Sequence, residues 1–340
     1  MVQYEVMGGV DTFALYKKES VFGVNPGNWG TDAKHFGIET SIKPNITRGL
    51  KKVRGLSGCL PSSYDEKTSR DAQQIFGQKV EFSASIDFEV QDFAFMEFVF
   101  GSMSDTAGGS PYYYPQETAV SIADKRKYIR PNSFSLMTRF DFGGVGDNAD
   151  KVWVYSGIAV NSCSMKAAMD EAVTVTLDCV GLSMIGDSVD IPTNYPCAPN
   201  SAEEVYNFAH AHATYGGAPI ENIIEGFDFT LENSAEALYG LGDYNGKKIV
   251  WKERNVKVSF DLTAEGTQFM DDMMGSSTTI QNPTVIDTVE LLLEKSPTKT
   301  TTVVLKNLRM PGHSLELTYG EVTKEKVELE AEFCYILENR

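Results

Sequence analysis

The chain has 340 residues, 42% of them hydrophobic and 23% charged, which describes an ordinary folded protein with room for about two domains. Its 47 acidic residues against 30 basic ones leave a formal charge of −17, which repels nucleic acid and anionic membrane and excludes a sequence-reading DNA binder of the usual basic kind. No apolar run is long enough to span a bilayer, and the five cysteines, odd in number and without a Cys-x-x-Cys pair, imply neither a zinc site nor a disulfide framework.

Met1 to Gly9 contains Glu5 and no basic n-region, so no signal peptide is expected. Residues 1–37 read as extended segments with turns, among them Phe13 to Tyr16 and the breaker-rich Asn25-Pro26-Gly27-Asn28. Thr40 to Leu56 supplies one or two strands. Ser57 to Gln78 is a long polar loop, either a solvated insert or an intersubunit contact. From Glu81 to Val90 the residues alternate, with Phe82, Ala84, Ile86, Phe88 and Val90 on one face and Glu81, Ser83, Ser85, Asp87 and Glu89 on the other, as in a half-buried strand. A short helix is expected from Phe93 to Phe100, with Asp92 as its N-cap and Gly101 as its C′ residue.

Ser102 to Asn132 is rich in Gly, Pro and Tyr, including Tyr112-Tyr113-Tyr114. It holds the one basic cluster, Lys125, Arg126, Lys127 and Arg130, read as a solvated loop with nucleic-acid contact as the alternative. Ser133 to Phe142 alternates as a strand, and Asp141, Asp147 and Asp150 lie in and beside a Gly-rich tip. They lack the spacing of a calcium loop, so a hairpin tip is favoured over a metal site. Val152 to Val160 and Ala172 to Val180 are strands, and Gly186 to Ser201 reads as a linker. Phe208, His210, His212 and Thr214 alternate with alanines, which places both histidines on one strand face, structural or metal-binding. Phe227 to Leu231 is a further strand, Asn245-Gly246 signals a hairpin turn before Ile249 to Trp251, and the last strand is expected to turn Val327, Leu329, Ala331 and Phe333 inward.

Two patterns recur. At an offset of 174 residues, 82–102 returns as 256–276, with Ser85/Ser259, Asp87/Asp261, Phe95/Phe269, Met96/Met270 and Gly101-Ser102/Gly275-Ser276 identical on the same strand and helix. At an offset of 150, Val154, Ile158, Val160, Ser164 and Met165 return as Val304, Leu308, Met310, Ser314 and Leu315. Glu171-Ala172-Val173 reappears as Glu325-Lys326-Val327, after what reads as a loop longer by four residues. Duplication accounts for both repeats. No catalytic constellation assembles: there is no nucleophile elbow, phosphate-binding loop, His-Glu-x-x-His or dinucleotide fingerprint. A pair of carboxylates acting as a hydrolase stays open, because their separation is a three-dimensional quantity.

The repeated order of strands, short helix and closing hairpin resembles a tail tube protein of a long-tailed phage or archaeal tailed virus, with the tube domain duplicated in one chain. The resemblance rests on Val160-Asn161-Ser162-Cys163-Ser164-Met165 followed by Glu171 and Val173 to Cys179, and on Ile224 to Asn233 with Gly240-Leu241-Gly242. It runs from about Glu19 to Tyr335. It implies a mainly β protein of two tandem β-sandwich domains, each with a short flanking α-helix: 1–186, a linker at 187–201, and 202–340. It further implies a structural virion protein with no cofactor, made in the host cytoplasm and assembled into the virion tail. Its partners would be itself and other tail proteins, with genomic DNA passing through without specific binding and no membrane contact. Rings of six single domains would become rings of three duplicated chains. Asp87, Asp178, Asp261, Glu328, Glu330 and Glu332 oppose apolar positions on their strands and are expected to face water, several of them at the channel wall. Another β-sandwich virion or surface module, an adhesin or carbohydrate binder with Tyr112 to Tyr114 as its platform, is the alternative, and a carboxylate hydrolase is a further one.

Overall fold

The computed structural model describes residues 12–30, 32–53, 74–101, 104–105, 112–114, 131–140, 151–186, 203–220, 223–264, 266–316 and 322–339. The first half of the chain holds β1 (Thr12–Lys18), β2 (Ile38–Val53), β3 (Gln74–Glu89), helix α1 (Met96–Val99), β4 (Ser104–Asp105), β5 (Tyr112–Tyr114), β6 (Phe134–Phe140), β7 (Lys151–Ala168), β8 (Thr174–Gly181) and β9 (Ser183–Gly186). In the second half a 3-10 turn (Phe208–His210) leads into β10 (Ala211–Tyr215), β11 (Ala218–Pro219), β12 (Ile224–Glu232), β13 (Ala235–Tyr239) and β14 (Gly246–Trp251). β15 (Asn255–Thr263), helix α2 (Gln268–Met274), β16 (Ile286–Ser296), β17 (Lys299–Glu316) and β18 (Lys324–Glu338) follow.

The fold is mainly β, and its main sheet runs β11-β10-β16-β17-β18-β15-β12-β7-β8-β3-β2, every neighbouring pair antiparallel. The order β7-β8-β3-β2 is followed by the order β17-β18-β15-β12, and the two stretches meet where β12 pairs with β7. β7 also turns a corner between layers. Its N-terminal half pairs with β6 and β9 and its C-terminal half with β8 and β12, with Gly157 at φ +69 near the change. A non-glycine residue would be strained there, and its Cβ would lie 2.8 Å from the Leu182 side chain.

Alternation on β3 does what its sequence dictates: Phe82, Ala84, Ile86 and Phe88 are buried, and the polar set faces the other way. Onto that buried side the first half packs aromatic rings, with Phe88 and Phe95 edge to face at 5.0 Å and Phe98 and Phe134 4.9 Å apart. The second half adds more aliphatic residues, Leu291, Leu293, Leu305 and Val327 among them, and both sets belong to one continuous apolar cluster. Phe95 and Phe269, the aromatic pair shared at the offset of 174, are both buried, and Phe269 meets Tyr215 edge to face at 5.0 Å.

Buried polar side chains pin the elements together. Glu19, just after β1, accepts hydrogen bonds from Ser133 Oγ, Ser135 Oγ, Gly23 N and Gly157 N at 2.6 to 2.8 Å. Asn233, just after β12, donates from Nδ2 to the carbonyls of Val99 and Val160 and accepts from Arg254 Nε. Its backbone N–H donates to Asn161 O at 2.7 Å, so the end of α1, β7 and β12 are tied at one point.

Several local expectations are corrected. The helix expected from Phe93 to Phe100 is a single turn, and Asp92 Oδ1 accepts from Ala94 N at 2.8 Å in place of capping it; with Phe93, Phe95, Phe98 and Phe100 all buried, packing outranks helix propensity. His210 and His212 do not share a strand face, because Asn207 caps a 3-10 turn with Ala209 N donating to its Oδ1 and its own N–H donating to His210 Nδ1. Gly246 opens β14, and residues 240–245 form the loop. β3 begins at Gln74, inside the stretch expected as polar loop, and residues 57–73 lie outside the described residues. Phe333 is half exposed, since β18 slips phase at 332–333 and turns Cys334 and Ile336 inward. The closing hairpin repeats at 150 on both strands: Cys163 stands opposite Leu177 and His313 opposite Val327, so the offset is the same before and after the turn. The basic cluster Lys125 to Arg130, the acids Asp141, Asp147 and Asp150, and residues 187–201 lie outside the described residues.

Candidate functional site

Directly paired residues of neighbouring strands project from the same face, so the registers show what the main sheet presents to water. One row crosses six strands as Asp87, Thr176, Ser164, Thr230, Lys257 and Glu330. A second runs Ser85, Asp178, Ser162, Glu232 and Asn255, and a third Glu89, Thr174, Lys166, Asp228, Ser259 and Glu328. Asp261 follows beside Gly226 and Lys326. Five of the acids singled out by alternation therefore share one continuous polar face, drawn from both halves of the chain. Glu332 lies at its margin, where β18 changes phase and Asn307 Nδ2 donates to it at 2.9 Å. Asp178, Asp261, Glu328, Glu330 and Glu332 are exposed and Asp87 is half-buried.

Several of the acids are held lightly. Thr176 Oγ1 donates to Asp87 at 2.8 Å, Ser162 Oγ to Asp178 at 3.2 Å, and Ser164 Oγ to Asp228 at 3.1 Å. Lys43 lies 3.5 Å from Asp87 and Lys257 3.2 Å from Glu330. Exposed pairs of this kind contribute only about 0–1 kcal/mol each, so the face is not a stabilising network. What it has is charge: Lys166, Lys257, Lys324 and Lys326 are outnumbered by carboxylates on its six strands. Lys324, at the rim, is raised above the ordinary lysine value by its hydrogen bond to Glu225.

The face is dished rather than pocketed. An open depression of about 750 Å³ is lined by Lys166, Asp228, Ser259, Asp261, Ser314 and Lys326, among others. At its other end the β13–β14 hairpin lies over Ala159 and Leu182, and the Tyr244 ring at the hairpin tip sits 4.5 Å under the Arg48 guanidinium. Among the described residues no group of three or more His, Cys, Asp or Glu is placed to hold a metal ion. Tyr112–Tyr114 forms a short strand paired with the end of β18. The alternation of Phe227, Phe229 and Leu231 marks the side of Asp228 and Glu232, whereas Lys166 joins them only because β12 lies against β7.

A family model described as phage tail tube protein matches residues 9–281, more than half of the chain. No curated protein matches it.

Proposed function

Because this chain belongs to the phage tail tube protein family, we propose that it builds the tail tube as stacked rings of three chains, each chain carrying two copies of the tube domain. It is a structural protein of the virion tail that assembles with itself and with other tail proteins. In this reading the copies are residues 1–186 and 202–340, joined through 187–201, and the chain is made in the host cytoplasm. The polar face of the main sheet lines the channel. Asp87, Asp178, Asp261, Glu328, Glu330 and Glu332 give the wall its sign, and the assembly conducts DNA without catalysing a reaction.

The observation that carries this reading is the continuity of one acid-rich face across β3, β8, β7, β12, β15 and β18. The matching strand orders on either side of the β12–β7 junction support the duplication. Charge acts on DNA only within about 8 Å at physiological ionic strength, so a wall that keeps DNA moving must carry its carboxylates on its own surface. Such a wall repels phosphate and lets the duplex slide.

Electron microscopy of assembled tubes tests the architecture, with three chains per ring and pseudo-sixfold density expected; six full-length chains per ring would overturn it. Glu328→Lys with Glu330→Lys tests the wall. Folding should be nearly unchanged, since exposed charges cost little, while DNA ejection slows, most at low salt. Normal ejection from charge-reversed particles, or density placing these residues on the outside, refutes the assignment.

A further inference from the structure

The pairing of β12 with β7 joins the two halves of the chain edge to edge. Residues 226–232 of β12 pair antiparallel with 168–162 of β7. Cross-strand registers relate the two halves strand by strand: β7 and β8 to β17 and β18 at 150, β3 to β15 at 174, and residues 41–47 of β2 to 226–232 of β12 at 185. Transferring the junction by these offsets sets the outer edge of β2 against residues 312–316 of β17. Both edges are open among the described residues: β2 pairs only with β3, and β17 beyond Leu308 pairs only with β18.

Side chains agree with the transfer. Phe227, Leu231 and Met165 are buried at the internal junction. Their counterparts Ile42 and Ile46 are only partly buried, and Leu315 is 45% exposed. Lys166 stands opposite Asp228 inside the chain, and the same positions at the open edges hold Glu316 and Lys43, opposite charges with the signs exchanged. We infer that residues 43–47 of one chain pair antiparallel with 312–316 of a second copy, Asn45 opposite Ser314 and Lys43 opposite Glu316.

Parity refines the contact. Asn233 N donates to Asn161 O and Met169 N to Glu225 O, which makes the odd-numbered residues of β12 the ones bonded to β7. Pro44 corresponds to Phe229, a bonded position, so the intermolecular ladder lacks one donor. A proline and an exposed lysine on an open edge also discourage stray pairing with other strands. Asn45 and Ser314 correspond to Thr230 and Ser164, a pair without ladder bonds, whose Cα atoms stand about 4.5 Å apart, within disulfide reach.

This inference rests on the tube reading, and its test separates the two. In a chain with Cys59→Ser and Cys197→Ser, Asn45→Cys with Ser314→Cys is assembled into tubes and treated with oxidised glutathione. Ser164→Cys with Thr230→Cys calibrates the chemistry within one chain, and Asn45→Cys with Glu316→Cys is the out-of-register control. The in-register pair should give covalent dimers and trimers at least tenfold faster than the control. As a second route, Lys43→Glu and Glu316→Lys should each reduce tube yield about tenfold, and the double exchange should restore it. Tubes without the 45–314 bond, faster linkage of the control, or single exchanges that leave yield unchanged overturn the register and leave the tube reading standing. Failure of the unmutated chain to form rings or tubes with its partner tail proteins overturns both.

Discussion

Replacing Glu19 by glutamine tests how the end of β1 is held to the sheet. The carboxylate is buried and accepts four hydrogen bonds, two at each oxygen: Ser135 Oγ and Gly157 N at Oε1, Ser133 Oγ and Gly23 N at Oε2. Glutamine has the same shape but one acceptor oxygen. If that oxygen keeps Ser135 and Gly157, the amide nitrogen faces the Gly23 N–H, donor against donor, while the Ser133 hydroxyl can rotate and accept. Bonds to a charged acceptor contribute about 1.5–3 kcal/mol against about 1 kcal/mol for neutral ones, and a stranded buried donor costs about 1–3 kcal/mol. Two weakened bonds and one stranded N–H put the loss at about 3 kcal/mol. Glu19→Ala should cost more, because the Gly157 and Gly23 amides both lose their acceptor. Urea unfolding followed by circular dichroism reads the change as a lower midpoint with the slope unchanged, and hydrogen exchange reads faster opening at Gly157. A loss below about 0.5 kcal/mol, with the Gly157 amide as protected as before, would refute the reasoning.

Phe95→Ala should cost about 3–5 kcal/mol and Phe269→Ala the lower end of that range, since Phe269 sits nearer the surface at 8% exposure; equal and small losses in thermal unfolding would contradict the packing described. Gly157→Ala forces a side chain into φ +69 with its Cβ 2.8 Å from Leu182 and should destabilise by about 1–3 kcal/mol, whereas Gly242→Ala, with nothing near its Cβ, should cost less. Burial pushes the thiols of Cys163, Cys179 and Cys334 up from an ordinary value of 9.0, Cys334 to about 12. The unfolded chain ionises them first, so stability is full below pH 9 and falls above it, by roughly 1 kcal/mol per thiol at pH 10; urea midpoints that stay flat from pH 8 to 10 would refute this. The same three thiols should resist alkylation at pH 8 until the protein is unfolded, as peptide mass spectrometry would show. His313 is paired with Glu325 where both side chains are almost fully buried, so His313→Leu strands an acid and should cost about 3 kcal/mol or more by urea unfolding.

Alternation decides which side chains of a strand share a face, and it is a local property, so Phe82 to Val90, Phe227 to Leu231 and Val327 to Ala331 were legible in the sequence. So were the acidity opposite them and the repeat that ties Phe95 to Phe269. Local pattern failed where a short-range bond competed with it. Asn207 caps a 3-10 turn and takes His210 out of the strand that period-two spacing suggested, and a phase slip in β18 exposes Phe333. Beyond the turn the sequence misleads, because Glu171 and Glu325 look alike, whereas the register pairs Leu177 and Val327 with equivalent partners. Only the tertiary structure could place β12 against β7 and so merge two polar strand faces into one. Side-chain period says which way a residue points, but not which strand lies beside it; that choice is made by backbone hydrogen bonds between residues some sixty positions apart, Phe227 and Ala167 among them, and by the burial of Phe229 and Met165 beneath the junction.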